Sequence, residues 1–214
     1  MQRGLNARDN VRTTRHFQGG FGGDSLIRTP CGARRADMVR PDDLIVTQNG
    51  LKPVKLVLKR RVSRADTAAG NERTPIRLRR RAIGPMLPER DVLLSPDHRA
   101  VLPGYRLVGT QDNETALLPI GEVADHSDHA FRDRSAFGAE LFTFVFEEPQ
   151  VFRVSGLLVE SFCPNESTLS ALTGRMRAEL VRLFPDLRKD LRAYPTLALP
   201  VADSYCAGPE GVGV

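Results

Sequence analysis

Leu93-Leu94-Ser95-Pro96-Asp97-His98-Arg99 sets a hydroxyl and an imidazole three residues apart, directly after the apolar pair that closes Asp91-Val92-Leu93-Leu94. A short apolar run stopped by proline reads as a buried strand, and the Ser95–His98 stretch as the turn that it delivers. Working upstream, Gly20-Phe21-Gly22-Gly23-Asp24-Ser25-Leu26-Ile27-Arg28-Thr29-Pro30 gives a short strand over Ser25–Arg28. Thr29-Pro30-Cys31-Gly32 closes it as a turn. Leu44–Thr47 and Pro53–Leu58 flank Gln48-Asn49-Gly50, whose Asn-Gly suits the positive φ angles of a tight hairpin.

Further short strands are predicted over Pro75–Arg79, Ala100–Leu102, Arg106–Val108 and Ala116–Pro119, with polar connections over 64–73 and 122–139. Glu140–Glu147 and Gln150–Val154 read as a hairpin. Leu141, Thr143 and Val145 alternate there with Phe142, Phe144 and Phe146, a pattern for a strand buried on both sides. Only one helix stands out. Ser167 or Thr168 caps it, and Leu169, Leu172, Met176, Leu180 and Leu183 recur at helical spacing before Pro185 ends it. The expected fold class is mainly β, with a small C-terminal helix.

Composition bounds the function. The 214 residues, 41% hydrophobic and 27% charged, suit one ordinary domain with a real core. No apolar run approaches the roughly 18–20 residues of a membrane span. Residues 1–19 are arginine-rich and lack the apolar segment of a secretory signal, so they read as a disordered basic leader and the location as cytoplasmic. Residues 188–214, rich in proline and glycine, read as a flexible tail. Cys31, Cys163 and Cys206 have neither disulfide-framework nor metal-site spacing.

The net charge of +5 rests partly on Lys59-Arg60-Arg61 and Arg79-Arg80-Arg81. Their alternating context places them on a solvated sheet face, and without stacking aromatics a nucleic-acid partner is disfavoured. Asp125-His126-Ser127-Asp128-His129, with Asp133 beyond, carries metal-binding side chains in loose order. It reads as a hydrated loop, and neither metal nor cofactor is expected.

The order of these segments resembles the Hedgehog/intein, or Hint, domain, particularly the bacterial branch found in modular proteins. Phe21, Ile27-Arg28-Thr29-Pro30, Asp42-Asp43-Leu44-Ile45-Val46-Thr47, Asn49-Gly50-Leu51-Lys52-Pro53-Val54 and Pro75-Ile76-Arg77-Leu78 carry the resemblance. So do Ala82-Ile83-Gly84, Leu87-Pro88, Asp91–Arg99 and Val159-Glu160-Ser161-Phe162. It covers residues 20–187 and implies a horseshoe of short strands that cleaves or splices its own backbone without a cofactor.

In that family the first residue is a cysteine. Its thiol attacks the preceding carbonyl, while a histidine serves the leaving backbone nitrogen. The resemblance assigns that role to His98 and an orienting role to Ser95. Here the cysteine slot holds Gly20, which has no side chain to attack with. Ser25 and Cys31 are the nearest substitutes, and read as a strand-entry hydroxyl and a turn thiol. A second departure is the lack of any histidine from Ala130 onward, where relatives often carry one around the 142–152 hairpin. The resemblance thus implies a Hint shell with a degenerate centre, weak or inactive, whose substrate is its own flanking polypeptide. Residual cleavage by water or another hydroxyl, helped by His98, is one alternative. Another is a non-catalytic binding or structural module for an unknown protein partner, with no role at a membrane.

Overall fold

Phe21 sits at the centre of the molecule. It is completely buried and meets the rings of Phe144, Phe152 and His98 edge-on, at centroid distances of 5.1, 5.9 and 5.7 Å. The computed structural model describes residues 19–124, 126 and 128–206. The leader expected over 1–19 therefore lies outside the described residues except for Gly19, as do residues 207–214 of the expected tail.

Among the described residues fourteen strands follow one another: β1 (Phe21–Gly22), β2 (Leu26–Thr29), β3 (Gly32–Arg35), β4 (Leu44–Thr47), β5 (Gly50–Pro53), β6 (Leu56–Arg61) and β7 (Ile76–Leu78). The series continues with β8 (Val92–Leu94), β9 (Arg99–Pro103), β10 (Thr115–Pro119), β11 (Ala130–Arg132), β12 (Glu140–Val145), β13 (Val151–Val154) and β14 (Leu157–Glu160). Helices α1 (Glu166–Ala171) and α2 (Gly174–Leu183) come after them.

The strands form two antiparallel sheets. One runs β11-β7-β8-β1-β12-β6; the other runs β10-β9-β14-β13-β2-β3, with β4 added on β13 and β5 on β4. Chain order and spatial order differ widely, and this brings the start of the domain beside its end. The two-residue β1 lies between β8 and β12, in register Phe21↔Leu94 and Phe21↔Phe142.

Several elements depart from the sequence expectation. β12 and β13 do not pair: β12 joins β1 and β6, while β13 joins β14, β2 and β4. Glu147-Glu148-Pro149 therefore carries the chain between sheets, a choice that local alternation does not encode. The Asn49-Gly50 turn does close a hairpin, with Gly50 at φ 85°, but its second strand is β5, and the apolar run of β6 crosses to the other sheet. The strand expected over Arg106–Val108 is not formed: Gly104–Arg106 is a 3-10 turn and Leu107 makes an isolated bridge to Tyr205, while β11 lies in the stretch expected as a connection.

The single predicted helix is two, broken at Leu172-Thr173. Asn165 caps α1 in a reciprocal capping box with Thr168, and Thr173 caps α2. Their apolar side chains, including Leu172 and Leu180, pack with Phe162 and Tyr194 on Leu56, Leu58 and Val145 of the first sheet. The described part of the tail is also attached. Leu117 of β10 donates its N–H to Pro200 (2.8 Å) and accepts from Ala202 (2.9 Å), and Cys206 N–H reaches Arg106 O at 2.8 Å. An edge strand leaves such groups open, and a proline-rich segment can satisfy them where its own prolines need not donate. No helix among the described residues is long and apolar enough to cross a membrane.

Candidate active site

The backbone leads into β1 through two glycines in left-handed conformations, Gly19 at φ 97° and Gly20 at φ 116°. Both are buried. Since Phe21 is opposite Leu94 and Phe142, the preceding residue falls between Ser95 and Thr143. Ser95 donates its N–H to the Gly20 carbonyl at 2.8 Å. Gly20 donates its own N–H to Nδ1 of His98 at 3.0 Å. The Gly19–Gly20 peptide is thus gripped at its nitrogen.

Packing at this point suits glycine. A Cβ on Gly20 would stand 3.0 Å from Leu141 Cβ, 3.3 Å from Phe142 O and 3.3 Å from Thr143 Oγ1. The positive φ adds a second obstacle to any side chain here.

The strand β8 and its turn place His98. Its backbone N–H donates to Ser95 O at 3.0 Å and its carbonyl accepts from Ile120, so the turn is held on both sides. Only 3% of His98 is exposed. Accepting from Gly20 makes Nδ1 the unprotonated nitrogen and leaves the hydrogen on Nε2, which is buried with no partner among the described side chains and backbone. Burial, with the Arg99 charge adding to it, lowers the His98 pKa to about 3. The ring is therefore a neutral acceptor at ordinary pH.

Ser95 lies next to the same peptide, but its hydroxyl faces elsewhere: Arg60 Nη2 donates to Ser95 Oγ at 3.3 Å. Arg60 itself is not on a solvated face. Its side chain is 13% exposed and lies 3.7 Å from the buried Asp66 carboxylate. Burial lowers the Arg60 pKa and raises that of Asp97, against the pull of Arg60 and Arg73. Ser95 is therefore a backbone anchor for Gly20 and a side-chain anchor for Arg60.

A cavity of about 290 Å³ opens beside the junction, lined by Gly19, His98, Thr143, Glu160 and Cys163 among others. The sequence reading did not single out Glu160 or Cys163. Thr143 Oγ1 is buried with no partner among the described residues and lies 4.0 Å from where a Gly19 Cβ would stand. The signal for it was the one polar residue in the otherwise apolar run from Leu141 to Phe146. Glu160 is held by Arg99 through Nε–Oε1 (2.7 Å) and Nη2–Oε2 (2.6 Å). Burial raises its pKa even so.

Beyond β14, Ser161 N–H reaches Gln150 O (2.8 Å) and Phe162 N–H reaches Phe144 O (2.9 Å). These bonds steer Cys163 into the cavity wall. The other candidates are not part of it: Cys31 is exposed on the β2–β3 turn, and Ser25 is buried but does not line the cavity. Asp125 and Ser127 lie outside the described residues, and His126 packs on the ring of Tyr205 at 5.3 Å. Among the described residues no three His, Cys, Asp or Glu side chains come together as a metal site.

A β fold that hands the peptide before its own first strand to an internal histidine defines a domain organised around one of its own backbone bonds. The family model for the Hint domain matches residues 20–166. The chain belongs to the Hint domain family. No curated protein matches it in sequence. Among solved structures it is similar to a DnaB intein from Synechocystis sp. PCC 6803 (17% identity, TM-score 0.41, covering 68% of this chain and 99% of that one). It is also similar to the gp41-1 intein (11%, 0.39, 66% and 97%) and to a bacterial intein-like domain from Clostridium thermocellum (13%, 0.39, 67% and 99%).

Proposed function

We propose that this Hint domain acts on its own Gly19–Gly20 peptide and is severely slowed there, because residue 20 supplies no nucleophile. The observation that carries the reading is the 3.0 Å hydrogen bond from Gly20 N–H to the buried, neutral His98 Nδ1. A leaving amine needs a proton at that nitrogen, and Nδ1, unprotonated at rest, is placed to relay there the proton an attacking thiol gives up; among the described residues no other imidazole lines the cavity. The Thr143 hydroxyl, buried beside Gly19 with no partner among the described residues, is available for the oxyanion that forms when the Gly19 carbonyl is attacked. What the glycine removes is the attacking atom.

The test is intact mass of the full chain and of Gly20→Cys, each with and without dithiothreitol. The unmodified chain is expected to stay almost wholly intact over hours. Gly20→Cys is expected to cut after Gly19 at least tenfold faster with the thiol present, and His98→Ala in that background to remove the gain. A folded Gly20→Cys chain that cuts no faster than the unmodified one overturns the reading.

A further inference from the structure

We propose that Arg60 is a positioning residue for the reaction at the Gly19–Gly20 peptide: by holding the Ser95 hydroxyl it fixes the turn whose backbone and imidazole grip Gly20. The inference deepens the proposed function and rests on its reading of this peptide as the reacting bond. It starts from the order of the first sheet. Arg60 on β6 is in register with Leu141 of β12, and Leu141 in turn with Gly22 of β1. A Cβ on Gly20 would also stand 3.0 Å from Leu141 Cβ. Neither glycine puts a side chain on this face. The Arg60 guanidinium extends past β12 and β1 to the end of β8, where Nη2 donates to Ser95 Oγ at 3.3 Å.

The group behind Arg60 is itself held. Asp66, 2% exposed, accepts at Oδ2 from Ser63 N–H (2.8 Å) and from Ser63 Oγ (2.7 Å). The same oxygen lies 3.7 Å from Arg60 Nη1. A connecting loop thus reaches the junction in three links, Asp66 to Arg60, Arg60 to Ser95, and Ser95 N–H to Gly20 O at 2.8 Å.

Stability alone does not account for the guanidinium. Its Nε is buried with no hydrogen-bond partner among the described residues, its contact with Asp66 is long, and Ser95 is a neutral acceptor. Burial lowers the Arg60 pKa, the mark of an undercompensated charge. A well-packed apolar side chain is often at least as stabilising as a buried ion pair. What the charge supplies is direction: one donor aimed at the turn whose Ser95 N–H and His98 Nδ1 hold the two polar atoms of Gly20. Proton relay depends on that placement, because a shift of about 1 Å at reacting groups can cost about a hundredfold in rate.

The experiment reads hydrogen exchange at the Gly20 amide of the isotope-labelled full chain. The reference is Val54 N–H, bonded to Asp43 O at 3.0 Å and remote from the junction. The variants are Arg60→Met, Ser95→Ala and the two combined, with circular dichroism to check folding. Each single substitution is expected to speed Gly20 exchange about tenfold relative to Val54, and the pair no more than either alone, since both remove one bond. Loss of stability by itself would speed both amides together and leave their ratio unchanged. In the Gly20→Cys background with dithiothreitol, Arg60→Met is expected to slow cutting after Gly19 about tenfold. An unchanged ratio in Arg60→Met, or in Ser95→Ala where Arg60→Met does not fold, overturns the inference, as do additive effects in the pair. Equal cutting by Gly20→Cys with and without Arg60→Met also overturns it and leaves the proposed function standing. A folded Gly20→Cys chain that does not cut overturns the proposed function instead, and the exchange ratio then decides whether Arg60 positions Gly20.

Discussion

His98 Nδ1 and the backbone nitrogen of Gly20 are 3.0 Å apart although 78 residues separate them in the chain, and the ring holds that bond as a neutral base. Burial keeps the His98 pKa near 3, against an ordinary value of 6.5. Between these values the unfolded chain binds a proton that the folded chain refuses. Stability therefore falls as pH drops from about 6.5 towards 3, by up to about 1.4 kcal/mol per pH unit from this ring alone. Urea titrations across that range are expected to show this slope in the unmodified chain and to lack it in His98→Asn, which keeps an acceptor but cannot ionise. Equal slopes in both would show that the ring is protonated in the folded state.

Gly20→Ala tests the glycine-adapted junction without adding any chemistry. A methyl group there must adopt positive φ and stand 3.0 Å from Leu141 Cβ. The expected loss is about 1–3 kcal/mol in denaturant unfolding. Gly50→Ala, also at positive φ but with nothing within 4 Å of the added carbon, is expected to cost less, about 1 kcal/mol.

Phe21 is the hinge between core and centre, since its ring touches Phe144, Phe152 and His98 together. Phe21→Ala is expected to cost about 3–5 kcal/mol. Phe21→Leu should retain most of that stability. If Phe21→Ala unfolds at the unmodified denaturant midpoint, the ring is not the keystone of this core.

Arg99 and Glu160 tie β9 to β14 through two parallel contacts of 2.7 and 2.6 Å. Arg99→Ala leaves a carboxylate buried in the cavity wall and is expected to cost about 3–5 kcal/mol near neutral pH. Adding Glu160→Gln to that variant is expected to recover part of the loss, because the stranded charge goes with it. A double-mutant cycle on unfolding free energies measures the coupling.

The sequence revealed most where local chemistry and spatial role coincide. Ser95-Pro96-Asp97-His98 read as a turn after a buried strand, and the structure has it so, with the imidazole against Gly20. The hairpin at Asn49-Gly50 was legible for the same reason: its geometry lies within four residues. Alternation over 140–154 points to β12 pairing with β13, but β13 closes its hairpin with β14 across Ser155-Gly156, and β12 pairs with β1 and β6, which come from far earlier in the chain. Arg60 hid in a basic run, and only the fold shows that it turns inward to Ser95 and Asp66. Cys163 gave no motif at all. Its place in the cavity wall comes from the two backbone bonds at Ser161 and Phe162 that fix the exit from β14. The segment from Pro195 to Cys206 looked loose by composition, yet its carbonyls and amides find the open edge of β10.

The placement of β1 between β8 and β12 also sets a clock. Gly19, His98, Thr143 and Cys163 are contributed by the beginning, middle and end of the domain, and meet only after both neighbours of β1 have docked. During synthesis, a ribosome would have to emit nearly the whole domain before the junction peptide finds its imidazole. Until then that bond is an ordinary amide. On the proposed function, breaking it would report completed folding, and a chain truncated before Thr143 would carry the same two glycines without the side chains that surround them.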